Sequence, residues 1–280
     1  MNETGIIWTE VTWNPATGCK RITSGCAYCY AHTIAENKRG TPAFPDGFDL
    51  TLRPHKLREP LRLKEPSLIF VNSMSDLFWE EIPFSYVDKV LDVIEATPQH
   101  QYQVLTKRPE RMLEYSQRRA LPENFWAGTT IEDQKATPRA DILRQVQASI
   151  RFVSAEPLLS PLVMDWSGLH WCITGGESGT HLLDPKLREL RGLADREGSR
   201  WVPRLDRIDW VRRIRDDCVA AGVRFFHKQW GGLHAKSAGR LLDGRTWDEF
   251  PRLPGDKRDI RNEHLSKMRD RPTIPLTLTH

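Results

Sequence analysis

"LIFVNSMSDLFWEEIPFSYVDKVLDVIEATP", residues 68–98, is the stretch on which the architecture turns. It begins with a short apolar, β-like run, passes through polar residues and reaches Pro83, which stands where a helix can begin. Beyond it Phe84, Val87, Val90, Leu91 and Ile94 recur at helical spacing. The same design returns in "YQVLTKRPERMLEYSQRR" from Tyr102, where Pro109 opens the helix, and in "FWAGTTIEDQKATPRADILRQV" from Phe125. "IRFVSAEPLL" from Ile150 and "LHWCITGGESG" from Leu169 add two more runs, and "DWVRRIRDDCVAAGVRFFHKQWGG" supplies a helix ending near Gly222 and a last strand, Arg224 to Trp230. Strands alternating with helices, with no strict sequence repeat, predict an α/β fold built on a parallel sheet.

Each run is apolar at its start and closes on polar, reactive residue types. These are Asn72, Ser73 and Asp76; Thr106, Lys107 and Arg108; Thr129, Thr130 and Glu132; Ser154 and Glu156; Glu177 and Ser178; His227, Lys228 and Gln229. In a parallel (β/α) barrel, complete or partial and TIM-like, such strand ends converge on one face, where catalysis is placed. An open doubly wound sheet also gathers ligand groups at strand ends, around a switch point. The many polar strand ends favour the barrel. Residues 1–231 are expected to form it, with a cysteine-cluster loop at 19–29. Residues 232–280 are expected to be a C-terminal extension that partly covers the face, through "GRLLDGRTWDEFP", and is loose at its end. The proline-rich segment 40–66 reads as a surface excursion.

A chain of 280 residues with 39% apolar content can bury one large core. It has no run of about 18 apolar residues and no secretory order of residues at its start, so a cytoplasmic protein with no membrane partner is expected. In that compartment thiols stay reduced, and a tight cysteine cluster binds metal rather than forming disulfides. The formal charge of +4 is too small to demand a nucleic-acid partner, though it permits one. Nine arginines between Arg188 and Arg215 have acids interspersed among them, which predicts an ion-paired helix surface. Ten tryptophans offer faces on which a base can stack, but most are expected in the core.

Three of the five cysteines lie in "WNPATGCKRITSGCAYCYAH", residues 13–32, with spacing C-x6-C-x2-C. A structural zinc site is closed by four ligands, whereas a four-iron cluster held by Cys19, Cys26 and Cys29 keeps one iron open. His32, three residues after Cys29, offers the alternative of a Cys3His zinc site. Cys172, in mid-strand, and Cys218, on a helix, read as small core residues.

"CAYC" followed by Tyr30 resembles the second half of the cluster motif of radical S-adenosylmethionine enzymes, which are partial or full α/β barrels. Over residues 8 to about 250 the chain is similar to a phage- and bacteria-associated three-cysteine family of largely uncharacterised function, through "WNPATGC", "GCAYCYA", "FVNSMSDLF", "LTKRP", "WAGTTIED", "RFVSAEPLL", "GGESG" and "FFHKQWGG". The first cysteine spacing is longer than the radical-enzyme motif has, so the loop must present its sulfurs by a different path.

The resemblance implies a 4Fe-4S cluster, S-adenosylmethionine and a 5'-deoxyadenosyl radical. It further implies an external electron donor, with a partner protein as a further candidate, and a nucleotide or nucleic acid to modify or repair. Lys107 or Arg108 would then hold the methionine carboxylate, and Asn72, Ser73, Asp76 and Thr130 would serve the ribose and adenine. "GGESG" would bring Glu177 to the methionine amino group, unless it is a glycine turn needing positive φ at Gly175 or Gly176. Glu156, Lys107 and His227 are the candidate catalytic groups. Two other readings stay open: a zinc-stabilised nucleic-acid-binding or adaptor protein without turnover, and a barrel hydrolase or lyase whose acid–base work falls to Glu156, Asp76 or His227.

Overall fold

The strand order decides between the two α/β architectures. The structure, a computed structural model, describes residues 1–252 and His264. The strands are β1 (Asn2–Glu3), β2 (Val11–Trp13), β3 (Ala16–Thr17), β4 (Thr51–Leu52), β5 (Leu68–Val71), β6 (Gln101–Thr106), β7 (Phe125–Thr130), β8 (Ile150–Ala155), β9 (Trp171–Gly175), β10 (Ala194–Glu197), β11 (Arg200–Pro203) and β12 (Arg224–Gln229). The helices are α1 (Tyr30–Asn37), α2 (Phe84–Glu95), α3 (Pro109–Arg118), α4 (Pro138–Gln145), α5 (Pro185–Arg191) and α6 (Ile208–Ala220). One sheet runs β1-β2-β5-β6-β7-β8-β9-β12, and all its neighbours from β2 onward are parallel, while β1 is antiparallel to β2. The order follows the chain without reversal, so there is no switch point, and the seven parallel strands curl into a half-barrel.

Alternation along the strands gives the sheet two faces. Ile69, Val71, Tyr102, Val104, Phe125, Ala127, Val153, Cys172 and Phe225 pack with Val87, Leu91, Met112, Leu143, Ile214 and Cys218 of the helices in the main core. The inner face carries a second cluster: Trp8, Leu68, Phe70, Trp126, Ile150, Phe152, Trp171, Ile173, Phe226 and Phe250. Most of these strand residues lie in the first half of their strands, so aromatics plug the amino-terminal end of the half-barrel and leave its carboxyl end to polar groups. Trp13, Trp126, Trp171 and Trp230 are fully buried, which is the core use of tryptophan expected above.

The C-terminal segment manages the free sheet edge. His227 N donates to Trp247 O (3.0 Å) and Glu249 N to Phe225 O (3.2 Å), so residues 247–249 lie antiparallel along β12 and cover groups that would otherwise invite another strand. Residues near Gly232 stay at the carboxyl end, where Gly232 N donates to Glu177 O (3.1 Å). The last dozen residues, expected to be loose, lie outside the described residues. The 40–66 excursion is anchored through β4, which pairs with β3 immediately before Cys19. The arginine-rich region is ion-paired, as in Arg188–Asp195 (2.7 Å), Arg204–Asp206 (2.8 Å) and Arg212–Asp243 (2.6 Å). Among the described residues no helix is long and apolar enough to cross a membrane.

Candidate functional site

The cysteine loop leaves β2, the first parallel strand, and returns to the sheet through Gly18. Gly18 has φ +90°, and a Cβ there would fall 2.3 Å from Asp49 O, so only glycine fits between the excursion and the β5 turn. Its N–H donates to Met74 O (3.0 Å), and its carbonyl accepts from Ser75 Oγ (2.6 Å). Cys19 is thereby fixed. A 3-10 turn over Ser24–Cys26 follows, and Cys29 is the N-cap residue of α1. All three are half-buried free thiols. Cys19 and Cys29 rest on one small cluster of Ala31, Ala35 and Phe48. Burial pushes the Cys19 thiol up to about 12, Asp76 adding to the effect and Arg108 opposing it. Burial also acts to raise Cys26, but Lys107 and backbone hydrogen bonds at Ile22 and Thr23 outweigh it and leave that thiol lowered.

Arg108 and Asp76 are already committed to each other and to the loop. Asp76 Oδ1 accepts from Thr106 Oγ1 (2.6 Å) and Phe78 N (3.0 Å), and Oδ2 accepts from Lys107 N and Arg108 Nη1 (both 3.0 Å). Asp76, expected at a ribose, here uses both oxygens to tie the turn after β5 to the end of β6. Arg108 Nε is held by Glu80 (3.1 Å), Nη1 points at Cys19 Sγ (3.9 Å) and Nη2 donates to Lys20 O (3.3 Å). It grips the cysteine loop through these bonds, where the sequence reading expected a hold on a methionine carboxylate. Lys107 differs: its side chain has no ion pair or hydrogen bond among the described residues, and its charge acts on the Cys26 thiol.

Glu177 is likewise engaged. Arg191 Nε donates to its Oε2 (2.5 Å) and Arg191 Nη2 to its Oε1 (2.7 Å), both residues being buried. Arg191 Nη2 also donates to Ser24 O (3.1 Å) in the cysteine loop. The carboxylate expected at a methionine amino group is thus paired to arginine. The glycines before it have a purpose other than positive φ, which neither adopts. A Cβ on Gly176 would fall 2.0 Å from Trp230 O, and one on Gly175 would fall 3.0 Å from the Glu156 carboxyl carbon.

His227 faces away from the site. Phe226 belongs to the inner cluster, whereas His227 lies fully buried on the helix side, with Nδ1 2.9 Å from Thr174 Oγ1 and its ring 4.5 Å from Trp230. Burial, helped by the Arg240 charge, drives its pKa down to about 3. Lys228 takes the inner face instead and donates to Glu156 Oε1 (2.5 Å). Asn72 is buried in a left-handed conformation (φ 59°), and its Nδ2 has no partner. The Ser73 hydroxyl exchanges hydrogen bonds with Asn14 (3.2 and 3.3 Å), and its carbonyl accepts from Tyr30 OH (2.7 Å). Thr130 is buried at the end of β7, its carbonyl accepting from Arg139 (2.8 Å).

Asn14, Tyr30 and Arg191 were not among the sequence candidates. No short-range signal marks them, because their partners lie 59, 43 and 167 residues away. Glu132, present only as a strand-end acid, is wholly buried against Gly25 of the cysteine loop, with Arg139 on one oxygen (2.9 Å).

A single-ion site needs donors that converge on one point. Among the described residues no three histidine, cysteine or acidic side chains do so, and the His32 ring lies edge-on to Phe48 at 5.3 Å. A cubane cluster asks for something else: each thiolate ligates a different iron, so the sulfurs stand around the cluster instead of meeting. Three half-buried thiols with the charges of Lys107 and Arg108 acting on them fit that donor set, since bound thiolates carry negative charge.

No curated protein matches the chain. Among solved structures it is similar to a cysteine-to-serine mutant of spore photoproduct lyase (12% identity, 81% of this chain and 76% of that one, TM-score 0.48). It is also similar to spore photoproduct lyase complexed with dinucleoside spore photoproduct (12% identity, 78% and 74%, TM-score 0.45). A double mutant of the same lyase with bound AdoMet and dinucleoside spore photoproduct aligns comparably (12% identity, 80% and 76%, TM-score 0.45). Residues 3–251 match the family model described as "Protein of unknown function (DUF5131)", and the chain belongs to that family.

Proposed function

We propose that this protein is a cytoplasmic radical S-adenosylmethionine enzyme that acts on a nucleotide or nucleic acid. The observation that carries the reading is the placement of three half-buried free thiols on the loop leaving the first parallel strand, at the carboxyl end of a half-barrel, with the charges of Lys107 and Arg108 acting on them. Cys19, Cys26 and Cys29 would hold a 4Fe-4S cluster. When bound, such a cluster would supply one-electron reduction of S-adenosylmethionine, with an external donor as the source of the electron, the chemistry that gives a 5'-deoxyadenosyl radical.

The chain's own residues bind, orient and exclude water. Lys107, without an ion pair among the described residues, holds the methionine carboxylate, and Arg108 keeps the loop in place. The Asn72 side-chain amide nitrogen, buried without a partner among the described residues, is a donor waiting for an acceptor on the cofactor, and the Ser73 and Thr130 hydroxyls would serve its ribose and adenine. Glu156 and Lys228 form a proton-carrying pair on the inner face. Lys20 and Arg21, exposed on the cysteine loop and without ion-pair partners among the described residues, suit a phosphate-bearing substrate.

Anaerobic reconstitution tests this. Iron and sulfide should be bound, and addition of reductant and S-adenosylmethionine should give 5'-deoxyadenosine. That product should vanish in Cys19→Ala, Cys26→Ala and Cys29→Ala. A colourless protein holding zinc, or undiminished product in any of the three variants, sinks the reading.

A further inference from the structure

Arg191 is remote in sequence from the cysteines and yet touches their loop twice. Its Nη2 donates to Ser24 O (3.1 Å), in the turn that ends at Cys26, and its guanidinium carbon lies 5.0 Å from the ring of Tyr28, between Cys26 and Cys29. The same fork grips both oxygens of Glu177. Tyr28 stacks on the His181 ring, centroids 3.9 Å apart and planes 7° apart, and His181 Nε2 lies 3.1 Å from Glu177 Oε2. One buried carboxylate therefore holds Arg191 by two hydrogen bonds and lies beside His181, whose Nε2 has no hydrogen-bond partner among the described residues. Glu177 is itself fixed from the far edge of the sheet, because its carbonyl accepts from Gly232 N and the preceding Gly176 N donates to Gln229 O (2.9 Å).

The segment "TSGCAYC" loses backbone entropy when ordered, and its own bonds include the local turn Cys26 N to Thr23 O and Ala27 N to Ser24 O and the exposed Ser24 Oγ to Asp133 (3.1 Å). A bidentate, desolvated Arg–carboxylate pair has both the strength and the directionality to offset that loss. We propose that Arg191, oriented by Glu177, is the positioning residue of the Cys26–Cys29 arm and holds both thiols in their presented conformation before any cluster is bound. The inference rests on the proposed function only for the identity of the group those thiols would receive.

The test is site-resolved alkylation of the metal-free full-length protein by iodoacetamide, read by peptide mass mapping, which uses all five cysteines as reporters. In Arg191→Gln, Cys26 and Cys29 should react about tenfold faster, the change in local opening that loss of a charge-assisted hydrogen bond produces. Cys19, held through Gly18 and Arg108, and the buried Cys172 and Cys218 should keep their rates. Arg191→Lys should restore the slow rates only in part, since an ammonium cannot span Glu177 and Ser24 as a fork does.

Unchanged rates at Cys26 and Cys29, or acceleration shared with Cys172 and Cys218, overturns the proposal, because the latter is general loosening. Should Arg191→Gln not fold, the double variant Arg191→Met/Glu177→Met removes the fork and its carboxylate together and strands no charge. It must show the same selective acceleration, and its absence overturns the proposal too. Iron and sulfide bound after anaerobic reconstitution should fall severalfold in Arg191→Gln relative to wild type. A wild-type protein that takes up no iron defeats the proposed function and leaves the alkylation pattern to judge Arg191.

Discussion

Glu156, one residue past β8, and Lys228, in β12, meet 2.5 Å apart over β9, the strand between them. The pair exists because β9 ends there in Gly175, whose missing side chain leaves room for the Glu156 carboxyl group. The next glycine meets backbone instead, at Trp230 O.

The two glycines should therefore respond differently to alanine. Gly175→Ala pushes on a side chain that can shift and should cost about 1 kcal/mol, whereas Gly176→Ala pushes on main chain and should cost about 3 kcal/mol or more. Urea unfolding midpoints measure both, and equal costs would contradict the difference between a side-chain and a main-chain neighbour.

Gly128 is a glycine because of Phe152, whose ring lies 2.2 Å from where a Cβ would stand. Gly128→Ala should lower stability by about 2 kcal/mol. Adding Phe152→Leu should cost less in that background than in wild type, because the two changes share one space. A double-mutant cycle on thermal unfolding reads the coupling.

Asp76 and Arg108 are a buried pair at the loop, each about 5% exposed. Asp76→Ala strands the guanidinium and removes the acceptor of four donors, so a loss of about 3–5 kcal/mol is expected. Denaturation of the metal-free protein measures it.

His227 makes stability acid-sensitive. Its folded-state pKa is depressed to about 3, below the ordinary imidazole value of about 6.5, so the unfolded chain takes up the proton first. The stability that His227 contributes is complete above pH about 6.5 and is lost as pH falls from there towards 3, by up to about 1.4 kcal/mol per unit. His227→Gln should flatten this part of the stability profile. Unfolding free energies of both proteins at pH 7 and pH 5 decide it.

Lys107→Ala removes the proposed carboxylate donor. S-adenosylmethionine affinity should fall about tenfold, with iron content unchanged. Calorimetry on the reconstituted protein gives the affinity, and iron analysis gives the control.

Most of the fold was legible in the sequence. The helical spacing from Phe84 to Ile94 and the apolar runs at Leu68, Tyr102, Phe125, Ile150 and Trp171 each became the element their pattern predicts. The site was legible in composition more than in role. Lys107 and Arg108 are adjacent and alike in charge, yet one has no ion pair among the described residues and the other is held by Glu80 and Asp76, residues 28 and 32 positions away. His227 and Lys228 could each have faced inward by alternation alone, and the choice came from Phe226 packing with Trp171 and Phe250 on the inner face.

By itself the sequence determined the order of strands and helices, the parallel sheet, the clustering of polar groups at strand ends and the three-thiol loop. These depend on periodicity and spacing, which act over a few residues. Only the tertiary structure decided that the sheet curls without a switch point, that Glu177 is bound to Arg191 instead of standing free, and that Arg108 is ion-paired while Lys107 has no such partner among the described residues. Those outcomes follow from burial, where a charge must find its partner wherever packing brings one, here as far as 167 residues along the chain between Arg191 and Ser24.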